Sequence, residues 1–195
     1  MVCGAILAGG QARRFGGRDK SQLLVDGRTI LARQLETLEG LVGRIVLVGY
    51  HGDAALPPTV GVAADRVPDS GPLAGLEAAL TTADGGPVLL LACDMPFVTG
   101  PFLSSLLREL DDADAVVPRT EHGYHPLCAV YGPSCLTAVR RRLDARQLRL
   151  RDLFGDLRVR IIEGPALALF GEPSHLLANV NTQADLDALD SLRNH

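Results

Sequence analysis

The sequence has no tryptophan and few aromatic residues of any kind, five Phe and three Tyr among 195 positions. Single-stranded nucleic acid is bound on platforms of aromatic rings, so the composition argues against that class of function. Net positive charge is also missing. The formal charge is −4, whereas chains that track phosphate backbones carry the opposite sign. Cationic groups in this chain must therefore serve a small anionic ligand rather than a polymer. No two of the four cysteines, Cys3, Cys93, Cys128 and Cys135, have the two-residue spacing of a zinc or redox site. Cys3, Cys93 and Cys128 stand in or beside apolar runs, where a free thiol acts as a small buried hydrophobe. Reduced structural thiols fit a reducing cytosol. The longest apolar run, 87–93, is far too short to span a bilayer. No basic stretch leads into a long apolar one at the N-terminus, so no secretory leader is expected. The expectation is a cytoplasmic protein with no membrane and no nucleic-acid partner.

What the chain does have is short apolar runs alternating with segments of helical period. Strands are predicted at 2–7, 44–48, 60–63, 87–93, 114–118, 127–131 and 159–162. Helices are predicted at 29–41, with Ile30, Leu31, Leu35, Leu38 and Leu41 on one stripe, and at 73–83, 101–110, 135–143 and 182–192. Pro72 suits the entry to the second helix, because proline is tolerated in a first turn. Thr182 and Asp185 read as a capping pair for the last. The run 87–93 is apolar at every position, as a central strand covered on both faces requires. Stretch 164–174 reads as a surface loop. The arginines at 140, 141, 142, 146, 149 and 151 read as the solvated face of a helix and its exit. Strands alternating with helices give a three-layer α/β/α fold around a mostly parallel central sheet, one domain over 1–195. Such sheets bind ligands beyond the carboxyl ends of their strands. That rule directs attention to 7–20, Asp65 and 94–96, each of which follows a predicted strand.

The first of these carries the most chemistry. Leu7-Ala8-Gly9-Gly10 opens a loop containing four glycines, Arg13, Arg14, Arg18 and Lys20. Glycine lets the backbone approach a ligand and turn its amides toward an anion. Arginine grips phosphate with a planar fork, and lysine acts as a compact charge. The loop is not a P-loop, since Asp19 separates Gly17 and Arg18 from Lys20, and it lacks the G-x-G-x-x-G spacing.

These residues resemble the first motif of the molybdenum cofactor guanylyltransferases, L-A-G-G-x-x-x-R-M-G-x-x-K, with Arg14-Phe15-Gly16 where that family has Arg-Met-Gly. The resemblance continues in order. Gly71-Pro72-Leu73-Ala74-Gly75 is similar to the family's G-P-L-x-G, and Asp94-Met95-Pro96 to its D-x-P. His125-Pro126 is similar to its H-P, and Asn179-Val180-Asn181-Thr182 to its N-x-N-T. The motifs run from Leu7 to Asp185, nearly the whole chain. The resemblance implies a Rossmann-like nucleotidyltransferase that joins GMP from GTP to the terminal phosphate of molybdenum-loaded molybdopterin and releases pyrophosphate. It implies that Leu7, Ala8, Gly9, Gly10, Lys20, Asp65 and Asp94 bind the nucleotide. Arg14, Lys20 and Asp94 would be catalytic, with Asp94 holding Mg2+. Gly75, His125, Asn179 and Asn181 would face the pterin. Molybdoenzymes or cofactor-insertion chaperones are the implied protein partners.

The attacking phosphate is already an anion, so the chemistry needs positioning and charge neutralisation rather than a general base. One carboxylate suits Mg2+, which takes few protein ligands. Structural readings stand beside these roles: Asp94 and Asp65 as turn residues, and His122 as an exposed histidine rather than a metal ligand paired with His125. The related cytidylyltransferase generally has Ala where this chain has Gly9, so Leu7-Ala8-Gly9-Gly10 points to guanine, with the missing methyl making room for a purine. Other readings remain open: CTP in place of GTP, an NTP with a sugar phosphate, or a non-catalytic nucleotide-binding module. Against the sugar-phosphate reading, Gln11-Ala12-Arg13 does not match the Gly-Thr-Arg of those enzymes. Against the last, both Lys20 and Asp94 are present.

Overall fold

The computed structural model describes residues 1–9, 22–52, 56–64 and 70–193, the last helix being described without the side chains of 183 and 190–193. At its centre two strands, β1 (Cys3–Leu7) and β6 (Val88–Ala92), are buried at every position. Their composition explains this: CGAIL and VLLLA leave no polar side chain to turn toward water. β4 (Arg44–Val48) pairs with β1 on the other side, and β5 (Val60–Ala63) continues outward from it, all parallel. In the other direction β9 (Cys128–Tyr131) joins β6 antiparallel and β7 (Ala115–Thr120) joins β9 antiparallel. β10 (Val159–Ile162) closes that side parallel to β7. The two-residue strand β8 (Gly123–Tyr124) folds back on β7. The order is β10-β7-β9-β6-β1-β4-β5, with β9 and β8 the strands running against the rest among the described residues. The expected mostly parallel sheet is what forms.

Alternate side chains leave the sheet on opposite faces. Cys3, Ala5, Leu7, Val88 and Leu90 pack with Leu73 and Leu76 of α2 (Gly71–Thr82) and Val139 and Leu143 of α4 (Cys135–Asp144). Ile6, Leu89 and Leu91 pack with Leu31 and Leu38 of α1 (Ile30–Leu38) and Phe102, Leu103 and Leu106 of α3 (Gly100–Arg108). The three layers follow from that alternation. A third, smaller core unites Val25, Ile30, Phe97, Val180 and Leu186. Leu186 belongs to α7 (Gln183–Arg193), so the final helix is joined to the front of the chain. No described helix is long and apolar enough to cross a membrane.

Several elements differ from the sequence expectation. Leu24–Val25 and Arg28–Thr29 form a small hairpin, β2 and β3, about Asp26 and Gly27, whose φ values of 50° and 76° are those of a two-residue primed turn. The stretch 164–174 is not a plain surface loop. It holds two single turns, α5 (Pro165–Ala168) and α6 (Pro173–Leu176), each started by a proline, and it buries Leu167. Glu172 caps the second turn by accepting from the His175 amide at 2.8 Å. The arginines of α4 are not simply solvated either. Arg140 donates to buried Glu77 at 2.8 Å and Arg142 to Asp156 at 2.6 Å, tying α4 to α2 and to the 3-10 segment Leu150–Asp156. Both ion pairs needed acidic partners far off in sequence, which the charge run alone could not reveal.

At the end of α4 the amide of Gln147 donates to Arg142 O at 2.9 Å and that of Arg146 to Leu143 O at 3.0 Å, the pair of bonds of a Schellman cap. The cap demands a left-handed residue, and here it is Arg146, at φ 56° and exposed. A side chain in that conformation costs about 1–2 kcal/mol, while glycine's freedom in the unfolded chain costs about 0.4–1 kcal/mol. Arg146→Gly is therefore expected to stabilise the fold by about 0.5–1 kcal/mol. Urea titration checks this, and a lower unfolding midpoint in the variant would contradict it.

Candidate active site

The parallel strands end level with one another. Leu7 is in register with Val48 on one side and Ala92 on the other, and Val48 with Ala63. Each chain therefore leaves the sheet at the same edge. β1 passes through Ala8 and Gly9 into the glycine-rich loop, and β6 passes into the turn that carries Asp94. β9 runs the other way, so its entry, His125-Pro126-Leu127, meets the same edge, and Ala92 N–H donates to Leu127 O at 2.8 Å.

Ala8 and Gly9 both donate to Val48 O, at 3.0 and 3.1 Å. A Cβ on Gly9 would stand 2.9 Å from Gly49 O and 3.0 Å from Gly49 Cα. Glycine at this position is thus required by the close approach of two backbones, a packing reason that involves no base. Gly75 has a similar explanation. It is buried in α2, and a Cβ there would come within 2.8 Å of Leu7 Cδ2. Gly10, Arg14, Lys20 and Asp65, together with Arg13, Phe15, Gly16 and Arg18, lie outside the described residues.

Asp94 is half-buried, and its turn is held from several directions. Cys93 N–H donates to Leu7 O at 3.2 Å, which joins the turn to the end of β1. Val180 N–H donates to Asp94 O at 2.7 Å. Val180 is fully buried in the third core, and its neighbours Asn179 and Asn181 are exposed on either side of that bond. Their position is fixed from behind by the expected cap. Asp185 Oδ2 accepts from the amides of Asn181 and Thr182 at 2.8 and 2.9 Å, and Thr182 Oγ1 accepts from the Asp185 amide at 3.2 Å.

His125 is partly buried. Its amide donates to Pro118 O at 2.9 Å, and its Nε2 shares a hydrogen bond of 2.9 Å with the Thr120 hydroxyl. The next residue is fixed by buried Tyr131, whose hydroxyl donates to Pro126 O at 2.8 Å. Burial, and then nearby His122, lower the His125 pKa. His122 itself is exposed beside Glu121. Burial also raises the thiols of Cys3, Cys128 and Cys135, the last to about 12, which leaves them protonated and inert. Among the described residues no three of His, Cys, Asp and Glu gather around a point. Asp94 thus offers one hard oxygen donor.

Sequence reasoning missed Gln34. It is 1% exposed, and its amide nitrogen donates to Ala92 O at 2.7 Å and Met95 O at 3.1 Å, on both sides of Asp94. The signal was available: Ile30, Gln34 and Leu38 are four apart, so a polar side chain sits on the buried stripe. Leu35, assigned to that stripe from the sequence, is only partly buried.

Strands ending level where β1 leaves through Ala8 and Gly9, with the Asp94 turn joined to that end, are the arrangement of a nucleotide-binding α/β fold. The chain belongs to the family of the MobA-like NTP transferase domain, whose model it matches over residues 4–161. It is 32% identical to a molybdenum cofactor guanylyltransferase of Desulfosudis oleivorans, over 97% of this chain and 95% of the relative. It is 35% identical to one of Acidiphilium cryptum, over 96% of this chain and 93% of the relative. Its fold is similar to that of molybdopterin-guanine dinucleotide biosynthesis protein A from Archaeoglobus fulgidus, with a TM-score of 0.78, 23% identity, and coverage of 100% of this chain and 99% of the other.

The lowered His125 pKa leaves its imidazole neutral at pH 7, able to donate through one nitrogen and accept through the other. The unfolded chain takes up the proton first as pH falls. This group's contribution to stability is therefore complete above its ordinary value of 6.5 and is lost as pH falls from there through the folded value. NMR titration should place the His125 midpoint below 6.5 and move it upward in His122→Ala. A midpoint at or above 6.5 would contradict the burial account.

Proposed function

We propose that this chain transfers GMP from GTP to the terminal phosphate of molybdopterin, forming molybdopterin guanine dinucleotide and pyrophosphate. A phosphate oxygen of the pterin attacks the α-phosphorus. The new P–O bond forms as the bond from that phosphorus to the bridging oxygen breaks, and pyrophosphate leaves with the electron pair. The nucleophile brings its own charge, so the protein's work is to hold two anions together and offset their repulsion.

In this reading Leu7, Ala8, Gly9 and Gly10 carry the nucleotide, and Asp65 helps to hold it. Arg14 and Lys20 hold the triphosphate and neutralise the departing pyrophosphate. Gly75, His125, Asn179 and Asn181 serve the pterin side. The two asparagines and a neutral imidazole suit a heterocycle that alternates donors and acceptors. Asp94, a single oxygen donor, fits Mg2+, which commonly takes one or two protein carboxylates, and does not fit zinc, which prefers nitrogen and sulfur. Bound there, Mg2+ would supply charge neutralisation on the phosphates. The observation that supports the reading is the 2.7 Å bond from Val180 N–H to the Asp94 backbone carbonyl, which joins the Asn179–Asn181 segment to the turn that carries Asp94. Relatives covering nearly the full chain and named guanylyltransferases support the choice of GTP.

The same reading takes 1–195 as one domain, supported by the third core that joins α7 to residues near the N-terminal loop. It places the protein in the cytoplasm, supported by free cysteines of which Cys3, Cys128 and Cys135 are buried. The pterin arrives loaded with molybdenum, and the product passes to molybdoenzymes or their insertion chaperones.

The test is pyrophosphate release from molybdopterin with each of the four NTPs in turn. GTP should support turnover, and Asp94→Ala should lower it at least about 100-fold with the melting temperature retained. A clear preference for CTP, or normal turnover by Asp94→Ala, would contradict the assignment.

A further inference from the structure

We infer that Gln34 is a positioning residue for this reaction, acting on Asp94 through the backbone on either side of it. The inference rests on the proposed role of Asp94 in holding Mg2+. α1 packs beneath the turn that leaves β6, and every other residue it buries is apolar: Ile30, Leu31 and Leu38. A fourth apolar residue would satisfy the packing. Instead an amide stands there, and its nitrogen spends both protons on Ala92 O and Met95 O, at 2.7 and 3.1 Å. Those carbonyls bracket Cys93 and Asp94. The Gln34 carbonyl oxygen has no hydrogen-bond partner among the described residues. Leaving a buried polar atom unpaired costs about 1–3 kcal/mol, so stability alone is a poor explanation for an amide at this position. Fixing the direction in which Asp94 leaves the sheet is a better one. Val180 N–H also holds Asp94 O, so the backbone of the turn is held by both α1 and the Asn179–Asn181 segment. Groups that orient a metal ligand typically account for about 10–100-fold in metal affinity.

The experiment compares the full chain with Gln34→Met, which keeps the volume and removes the donors, and with Asp94→Asn. Free Mn2+ is followed by EPR in the presence of GTP, GTP affinity is measured in EDTA, and the half-saturating Mg2+ concentration for turnover is read alongside. Gln34→Met should weaken Mn2+ binding and raise half-saturating Mg2+ about tenfold, with metal-free GTP affinity within about twofold. A purely structural glutamine would lower the melting temperature without moving the metal dependence. Unchanged Mn2+ affinity in Gln34→Met, with weakened affinity in Asp94→Asn, would overturn the positioning role and leave the Asp94 assignment standing. Unchanged affinity in Asp94→Asn would overturn both. If Gln34→Met does not accumulate as folded protein, Gln34→Asn keeps the amide and withdraws it by one methylene. Weakened Mn2+ binding there supports the role, and unchanged binding overturns it.

Discussion

The turn after β6 is where distant parts of the chain meet. Leu7 O, at the end of β1, accepts from Cys93 N–H, the amide of Val180 reaches Asp94 O, and Gln34 on α1 reaches Ala92 O and Met95 O. None of these partners is near 92–95 in sequence, yet each bond depends on the sheet bringing its strands to a common edge. Were β1 to slip one residue against β6, its buried side chains would exchange faces and Leu7 would lose its place under Gly75. The apolar alternation that fills the two large cores is therefore also what sets the candidate site.

Charge is used sparingly and locally. Several arginines of the described chain are engaged in structure: Arg140 with Glu77, Arg142 with Asp156, Arg158 with Asp114, Arg160 with Glu109. The Asp114 carboxylate, bonded by the Arg158 amide and guanidinium and by Ser134, is held down to about 2. A net charge of −4 is then compatible with binding anions, because attraction for a triphosphate depends on groups within a few ångströms and not on the total. At the edge itself the described groups other than the Asp94 carboxylate are neutral donors and acceptors: backbone amides, two asparagines and a partly buried histidine.

Much of the architecture was legible in the sequence because local and global preferences agree. The strands at 44–48, 60–63 and 159–162 were read to the residue, and the capping pair Thr182 and Asp185 forms the bonds its spacing implied. The motifs singled out Asp94, His125, Asn179 and Asn181 as residues to look for, Asp94 on the nucleotide side and the other three across the cleft from it. What could not be read was any interaction whose partner is remote. Gln34 looks like an ordinary polar residue until Ala92 and Met95 are brought above it. The ion pairs of α4 need Glu77 and Asp156. The steric reason for Gly9 is the backbone of Gly49, which no spacing within the first loop could disclose. The two turns in 164–174 were missed because each is only four residues long, too short for a helical period to register.

The central claim is spatial: the nucleotide lies across the carboxyl edge of β1 and β6, with Asp94 facing its phosphates. A crystal structure of the protein soaked with GTP and Mg2+ tests it most directly. The account predicts triphosphate density over Ala8 and Gly9 with Asp94 on the metal side. Density at the opposite edge of the sheet, or on the outer faces of the helices, would contradict it.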